Sequence, residues 1–207
     1  MTLLTVLDYA SVFIFALSGA LVASRAQLDI FGFVFIASLT AVGGGTLRDI
    51  ILNRDVVFWV DNPDFIGVAA VAALITFFTA HLLESRYSTI LWLDACALAV
   101  AVPAGVGVAL AMGQSQAVVL MMGVVTGCFG GLMRDVVCNE VPLVLKQGEL
   151  YVTCALFGAG AALIALAFGA PTALALLICA VGTFALRAGS LAFGWKLPVY
   201  KSYPPRQ

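Results

Sequence analysis

The chain has 207 residues, of which 63% are hydrophobic and 10% charged, and its formal net charge is −1. So little polar material cannot coat a water-soluble domain of this size, and a near-neutral balance offers no concentrated basic face for nucleic acid. The mean hydropathy of +1.10 places the chain in a bilayer.

At roughly 20 apolar residues per crossing, seven spans are predicted: 3–23, 30–52, 63–83, 89–111, 115–138, 147–169 and 172–194. The expected fold is all-α, a polytopic membrane protein forming one transmembrane domain over 1–207. The first span carries Asp8 and has no Lys or Arg before it, unlike a cleaved signal peptide, so it is expected to be retained. The second ends in a glycine-rich string around Gly44, and His81 near the end of the third reads as an interfacial residue. Cys96, Cys128, Cys138, Cys154 and Cys179 show no CxxC or Cys/His spacing, so they read as buried free thiols rather than zinc ligands or a disulfide framework. Arg187 falls in the middle of the last span with no acidic residue nearby in sequence, so it must face protein, water or a headgroup. Phe58-Trp59 and Trp195 fit interfacial aromatic anchoring.

The first half of the chain returns without a gap 86 positions later. Asp8, Gly19, Gly44, Gly45, Arg48, Asp49 and Asn53 recur as Asp94, Gly105, Gly130, Gly131, Arg134, Asp135 and Asn139, and Thr40 recurs as Thr126. Repeat one covers 3–83 and repeat two 89–169, with the helix at 172–194 left over. Arg25, Arg86, Lys146, Lys196, Lys201 and Arg206 fall on one side of the membrane and essentially Arg54 on the other, which puts the N-terminus outside and the C-terminus in the cytoplasm. Three spans per repeat is an odd number, so the two repeats are expected to be inverted.

Gly43, Gly44 and Gly45 in span 2, and Phe129, Gly130 and Gly131 in span 5, admit two readings. Each glycine costs a helix about 1 kcal/mol relative to alanine, so the clusters read as breaks or kinks beside a pathway. The same glycines also complete small-xxx-small stripes, Ala37, Ala41 and Gly45, and Gly123, Gly127 and Gly131, that suit close helix packing.

At a rise of about 1.5 Å per residue, Asp8 and Arg48 reach similar depths on one side, and Asp94 and Arg134 similar depths on the other. They are expected to form two related ion pairs, the alternative being arginines that snorkel to headgroups. Asp49 and Asp135 are placed to complement the N-terminus of a new half-helix after a break. Asn53 and Asn139 read as C-terminal caps or polar lining.

No Ser/His/Asp set, metal-ligand cluster or phosphate loop is present, so no enzyme, no cofactor and no resident metal is expected. The string Ala41 to Asp49, followed by Val57-Phe58-Trp59 and by a second Gly-Gly-x-x-Arg-Asp at Gly130 to Asp135 with Val141-Pro142, resembles the prokaryotic trimeric intracellular cation (TRIC) channel family. Bacterial members also carry the label of glycine transporters. The resemblance extends over the chain to Arg187 and Lys196-Leu197-Pro198.

What it implies is a homotrimer in a prokaryotic inner membrane, surrounded by lipid, with a pore in each protomer for monovalent cations, chiefly potassium, held only transiently. The family's kink sites beside the pore carry over to Gly43, Gly44, Gly45, Gly130 and Gly131. The chain departs at Phe129, where the second repeat usually has another glycine, and a Phe beside a narrow path can act as a hydrophobic gate. Two other functions compete: a secondary transporter of a small zwitterion such as glycine, and a non-conducting assembly protein in which the glycines only pack.

Overall fold

The computed structural model describes residues 2–83, 85–198 and 200. It is an all-helical membrane protein. Its α-helices are α1 (Leu3–Arg25), α2 (Ile30–Ile51), the short α3 (Phe58–Asp61), α4 (Asp64–Thr79), α5 (Arg86–Ala111), α6 (Gln116–Val137), α7 (Val152–Ala167) and α8 (Thr172–Phe193). Lys201 and Arg206, used above to orient the chain, lie outside the described residues.

Helix ends follow local chemistry. Thr2 caps α1 by accepting from the Thr5 N–H, and Asp29 caps α2 by accepting from the Gly32 N–H at 2.8 Å. α2 and α6 end in the same turn: Asn53 and Asn139 adopt left-handed φ of 51° and 54°. The N–H groups of Arg54 and Glu140 then reach back to the carbonyls of Asp49 and Asp135, at 3.0 and 2.8 Å. Asparagine serves there because its short polar side chain tolerates left-handed backbone better than most residues. Both asparagines are exposed and act as C-terminal caps.

The helices pack as two lobes. One core gathers α1, α2 and α4 around Phe15, Phe33 and Phe65; the other gathers α5, α6, α7 and α8 around Leu98, Met122 and Leu176. α5 joins them, since its Ala97 and Ala101 belong to the first core and its Leu98 and Val102 to the second.

Among the described residues, six helical segments are long and apolar enough to cross a membrane, Asp64–Leu82 including the 3-10 turn after α4. The expected span 147–169 is shorter than predicted, since α7 holds 16 residues. Its leading residues are diverted: the Leu197 N–H donates to the Gly148 carbonyl at 2.8 Å, and Glu149 bridges to Lys196. Backbone groups used to pair with the tail are lost to the helix. Cys128, Cys154 and Cys179 are buried, whereas Cys96 and Cys138 are only half-buried; all five are free thiols. His81 is exposed on the 3-10 turn and lines a cavity of about 190 Å³ with Arg86.

Candidate functional site: a glycine crossing between two ion clusters

The helix breaks expected at Gly43–Gly45 and at Phe129–Gly131 are not found. α2 and α6 run unbroken through both strings. The physical reason is the contact between them. Gly44 lies so close to α6 that a Cβ there would overlap the Thr126 carbonyl oxygen, and Gly130 lies in the same way against the Thr40 carbonyl. Each contact is the other's counterpart 86 residues on. Small residues let the two backbones approach, and that packing outweighs the roughly 1 kcal/mol intrinsic cost of each helical glycine.

The stripes that end in Gly45 and Gly131 are not the crossing. The Phe58 ring covers Gly45, and the Tyr151 hydroxyl lies above Gly131, where a Cβ would come within 3.3 Å of it. The crossing uses Thr40 and Gly44 with Thr126 and Gly130. Both threonine hydroxyls donate back to their own helix, Thr40 to the Ile36 carbonyl at 2.6 Å and Thr126 to the Met122 carbonyl at 2.7 Å, which leaves a smooth surface for the partner. Met133 of α6 fills the space over Gly43, where a Cβ would come within 2.8 Å of its sulfur. Phe129 is half-buried at the edge of the second core.

One ion cluster flanks the crossing on each side. On the near face, where α1 begins, Arg48 Nη1 donates to Asp8 at 3.1 Å and Nε to Asp49 at 2.7 Å. On the far face, Arg134 donates to both oxygens of Asp94, at 2.8 and 3.1 Å, and to Asp135 at 2.8 Å. Neither arginine snorkels: both are buried. A guanidinium carried into a protein interior needs carboxylates in reach, because an unpaired buried charge is strongly disfavoured.

Asp49 and Asp135 do not cap half-helices within the spans, since no helix restarts there. Each instead anchors the loop that follows. Asp49 accepts from the Phe58 N–H at 2.8 Å and from Arg54 at 3.1 Å, and Asp135 accepts from the Leu143 N–H at 2.9 Å. Phe58 is accordingly buried, stacked edge-on against Phe65 and lying 5.4 Å from the Arg48 guanidinium, so it is a packing residue rather than an interfacial anchor. The Trp59 indole N–H donates to the Thr46 hydroxyl at 2.9 Å.

Arg187 faces protein, and lies about six residues from the end of α8 rather than at its middle. Its guanidinium donates to Glu149 at 3.0 Å and to the Leu150 carbonyl at 3.1 Å, and lies 5.1 Å from the Tyr151 ring. The Tyr151 hydroxyl in turn donates to Asp94 at 3.3 Å. One polar chain therefore links α5, α6, the start of α7 and α8.

Four participants were not singled out from the sequence: Ser18, whose hydroxyl donates to Asp94 at 2.5 Å, and Glu149, Leu150 and Tyr151. None has a counterpart of its own type 86 positions away, so the repeat is silent about them. Thr40 and Thr126 did carry a signal, their recurrence. Among the described residues no three His, Cys, Asp or Glu side chains are grouped to hold a metal ion.

Comparison with known proteins agrees with this architecture. A family model described as "Glycine transporter" matches twice, over residues 5–81 and 91–167, the same 86-residue offset as the internal repeat. The chain is 37% identical over 204 residues to a UPF0126 membrane protein of Vibrio cholerae, covering 96% of this chain and 83% of that protein. It is 35% identical to the UPF0126 inner membrane protein YadS of Escherichia coli K12, covering 94% of each. Among solved structures, the TRIC trimeric intracellular cation channel orthologue from Rhodobacter sphaeroides matches with a TM-score of 0.90 and 43% identity, over 94% of this chain and all of that one. A second structure, described in terms of conductance through TRIC cation channels, matches with a TM-score of 0.86 and 27% identity over 99% of this chain and all of that one.

Proposed function

Because this chain belongs to the trimeric intracellular cation channel family, the family whose model bears the description "Glycine transporter", we propose that it is a passive channel for monovalent cations, chiefly potassium. Each protomer of a homotrimer has its own pathway, and the crossing of α2 and α6 flanks it. The observation that carries this reading is the likeness to the Rhodobacter sphaeroides channel over nearly the whole chain. The reciprocal glycine contacts add to it, because they put a close approach of two helix backbones between two ion clusters.

With α2 and α6 unbroken, conduction needs these helices to bend or part at the crossing. Gly43, Gly44, Gly45, Gly130 and Gly131 are where bending meets least resistance, since glycine has no side chain to hold the helical rotamer and the weakest helix propensity short of proline. Phe129 replaces a glycine at the second site and acts as a hydrophobic constriction that gates by dewetting. The near cluster, with Arg54, sets two arginines against two carboxylates, and the far one sets Arg134 against Asp94 and Asp135; the preference for cations comes from the family.

The reading extends to topology. α7 is the sixth of seven crossings, short enough to need local thinning or flanking residues at its ends. The two three-helix repeats are inverted across the membrane plane, in keeping with the reciprocal contacts at the crossing. The N-terminus faces outward from the inner membrane, and the trimer is embedded in lipid.

A second reading, a transporter of a small zwitterion such as glycine, is favoured by one feature. Arg48 Nη2 is buried with no hydrogen-bond partner among the described residues, beside the Asp8 carboxylate. A carboxylate and an ammonium on one small molecule would match that pair.

Purified protein in planar bilayers separates the readings. Discrete currents that reverse at the potassium potential establish the channel. Saturable glycine exchange in proteoliposomes without such currents establishes the transporter, and silence in both leaves an assembly role.

A further inference from the structure

The two ion clusters are built on the same repeat but are not equally satisfied. Asp94 receives both Nη groups of Arg134 and the hydroxyls of Ser18 and Tyr151, and Ser18 also accepts from Arg134. Asp8 receives one bond from Arg48, and Arg48 Nη2 has no partner among the described residues. The cause lies in two positions. Where the far cluster has Ser18 and Tyr151, the repeat puts Ala104 and Phe65 for the near one, so both hydroxyls are missing there. Ala104 and Phe65 are buried.

The mechanical consequence follows from which elements each cluster ties. The far cluster joins α1, α5 and α6 to Tyr151 just before α7, while among the long helices the near cluster joins only α1 to α2; each also anchors its following loop, through Asp135 or Asp49. Asp8 also keeps 14% of its side chain exposed, whereas Asp94 has none. Parting the far helices breaks several charge-assisted bonds in a dry site at once, where each is worth most. Parting the near helices breaks one interhelical bond and lets the orphan N–H of Arg48 find an acceptor in water, which offsets the loss.

We infer that the near end, latched by Asp8 and Arg48, is the end that yields when the pathway opens, while the far end is a fixed anchor in which Ser18 is the positioning residue. The inference rests on a pathway through each protomer, but its test is independent of current. Amide hydrogen exchange of the intact protein in lipid nanodiscs compares residues 47–51 of α2 with 133–137 of α6. These segments end in the same Asn-capped turn, so the ion clusters are the main difference between them.

The near segment is expected to exchange about tenfold faster than the far one. Ala104→Ser, which supplies one missing hydroxyl, is expected to slow the near segment about threefold and leave the far one unchanged. Ser18→Ala is expected to speed the far segment alone. Equal rates in the two segments, or a faster far segment, overturn the inference, as does an Ala104→Ser protein with an unaltered near segment. A protein that carries no current yet shows the asymmetry supports unequal ends while removing the channel reading.

Discussion

Gly130 of α6 lies against the carbonyl oxygen of Thr40 in α2, and no side chain larger than hydrogen fits between them. The opposite contact, Gly44 on Thr126, repeats the arrangement in reverse, so the two helices hold each other at two points on either side of one crossing.

Leucine at either glycine must therefore push α2 and α6 apart. Gly44→Leu and Gly130→Leu are each expected to cost at least about 1–3 kcal/mol through overpacking and to abolish or strongly reduce conduction, whereas Cys179→Ala is expected to conduct normally. Thermal unfolding in detergent and bilayer recording are the measurements. Normal currents from both leucine variants would put the crossing away from the pathway.

Removing one member of the far ion cluster leaves its partner charged and buried. Asp94→Asn is expected to destabilise by about 1.5–3 kcal/mol, since Asp135 still pairs with Arg134, and Asp8→Asn by clearly less, because Asp8 is partly exposed and makes one bond to Arg48. Circular dichroism melts order the two variants. Exchanging the far pair, Asp94→Arg together with Arg134→Asp, is expected to recover more folded protein than either single change; a double variant no better than the singles argues that the pair does not act as a unit.

Asn139 sits at φ 54°, where a β-branched residue is strained. Asn139→Val is expected to lower stability by about 1–2 kcal/mol and Asn139→Gly to be nearly neutral. If the valine protein melts with the glycine protein, the left-handed cap contributes nothing.

Glu149 holds Arg187 from the same loop that pairs with the tail. Glu149→Ala is expected to loosen both, so that limited proteolysis between residues 194 and 198 proceeds faster, with a stability loss of about 3 kcal/mol from the uncompensated guanidinium. Unchanged cleavage kinetics would separate the tail from the ion pair.

Much of this arrangement is legible in the amino-acid sequence. Depth arithmetic along two spans brings Asp8 to Arg48 and Asp94 to Arg134, because a helix converts sequence position into height. The 86-residue offset marks Thr40 and Thr126, and Asn after an apolar run with a left-handed turn is a local signal. The outcome at the glycines was not readable in the same way. Intrinsic propensity argues for a break at Gly43-Gly44-Gly45, but propensity is a weak prior, and the contact with Thr126 that overrides it lies on another helix. The partner of Arg187 was hidden for a related reason: Glu149 belongs to a loop that looked apolar enough to be helix, and only its pairing with Lys196 draws it out. Ser18 and Tyr151 break the repeat, so a reading based on recurrence passes over the residues that make the two halves differ.

The docking of Arg187 on Glu149 and Leu150 also sets an order of synthesis. α8 is made after both of its partners, and an arginine in such a helix opposes insertion, by about 2.5–3.5 kcal/mol at the helix centre and by less toward the end where Arg187 lies. A nascent chain that has finished α7 already offers the carboxylate and carbonyl that receive it, along with Gly158, whose missing side chain leaves room for Thr183. The second lobe is thus completed only when α8 leaves the ribosome, while the first, around α1, α2 and α4, can close long before.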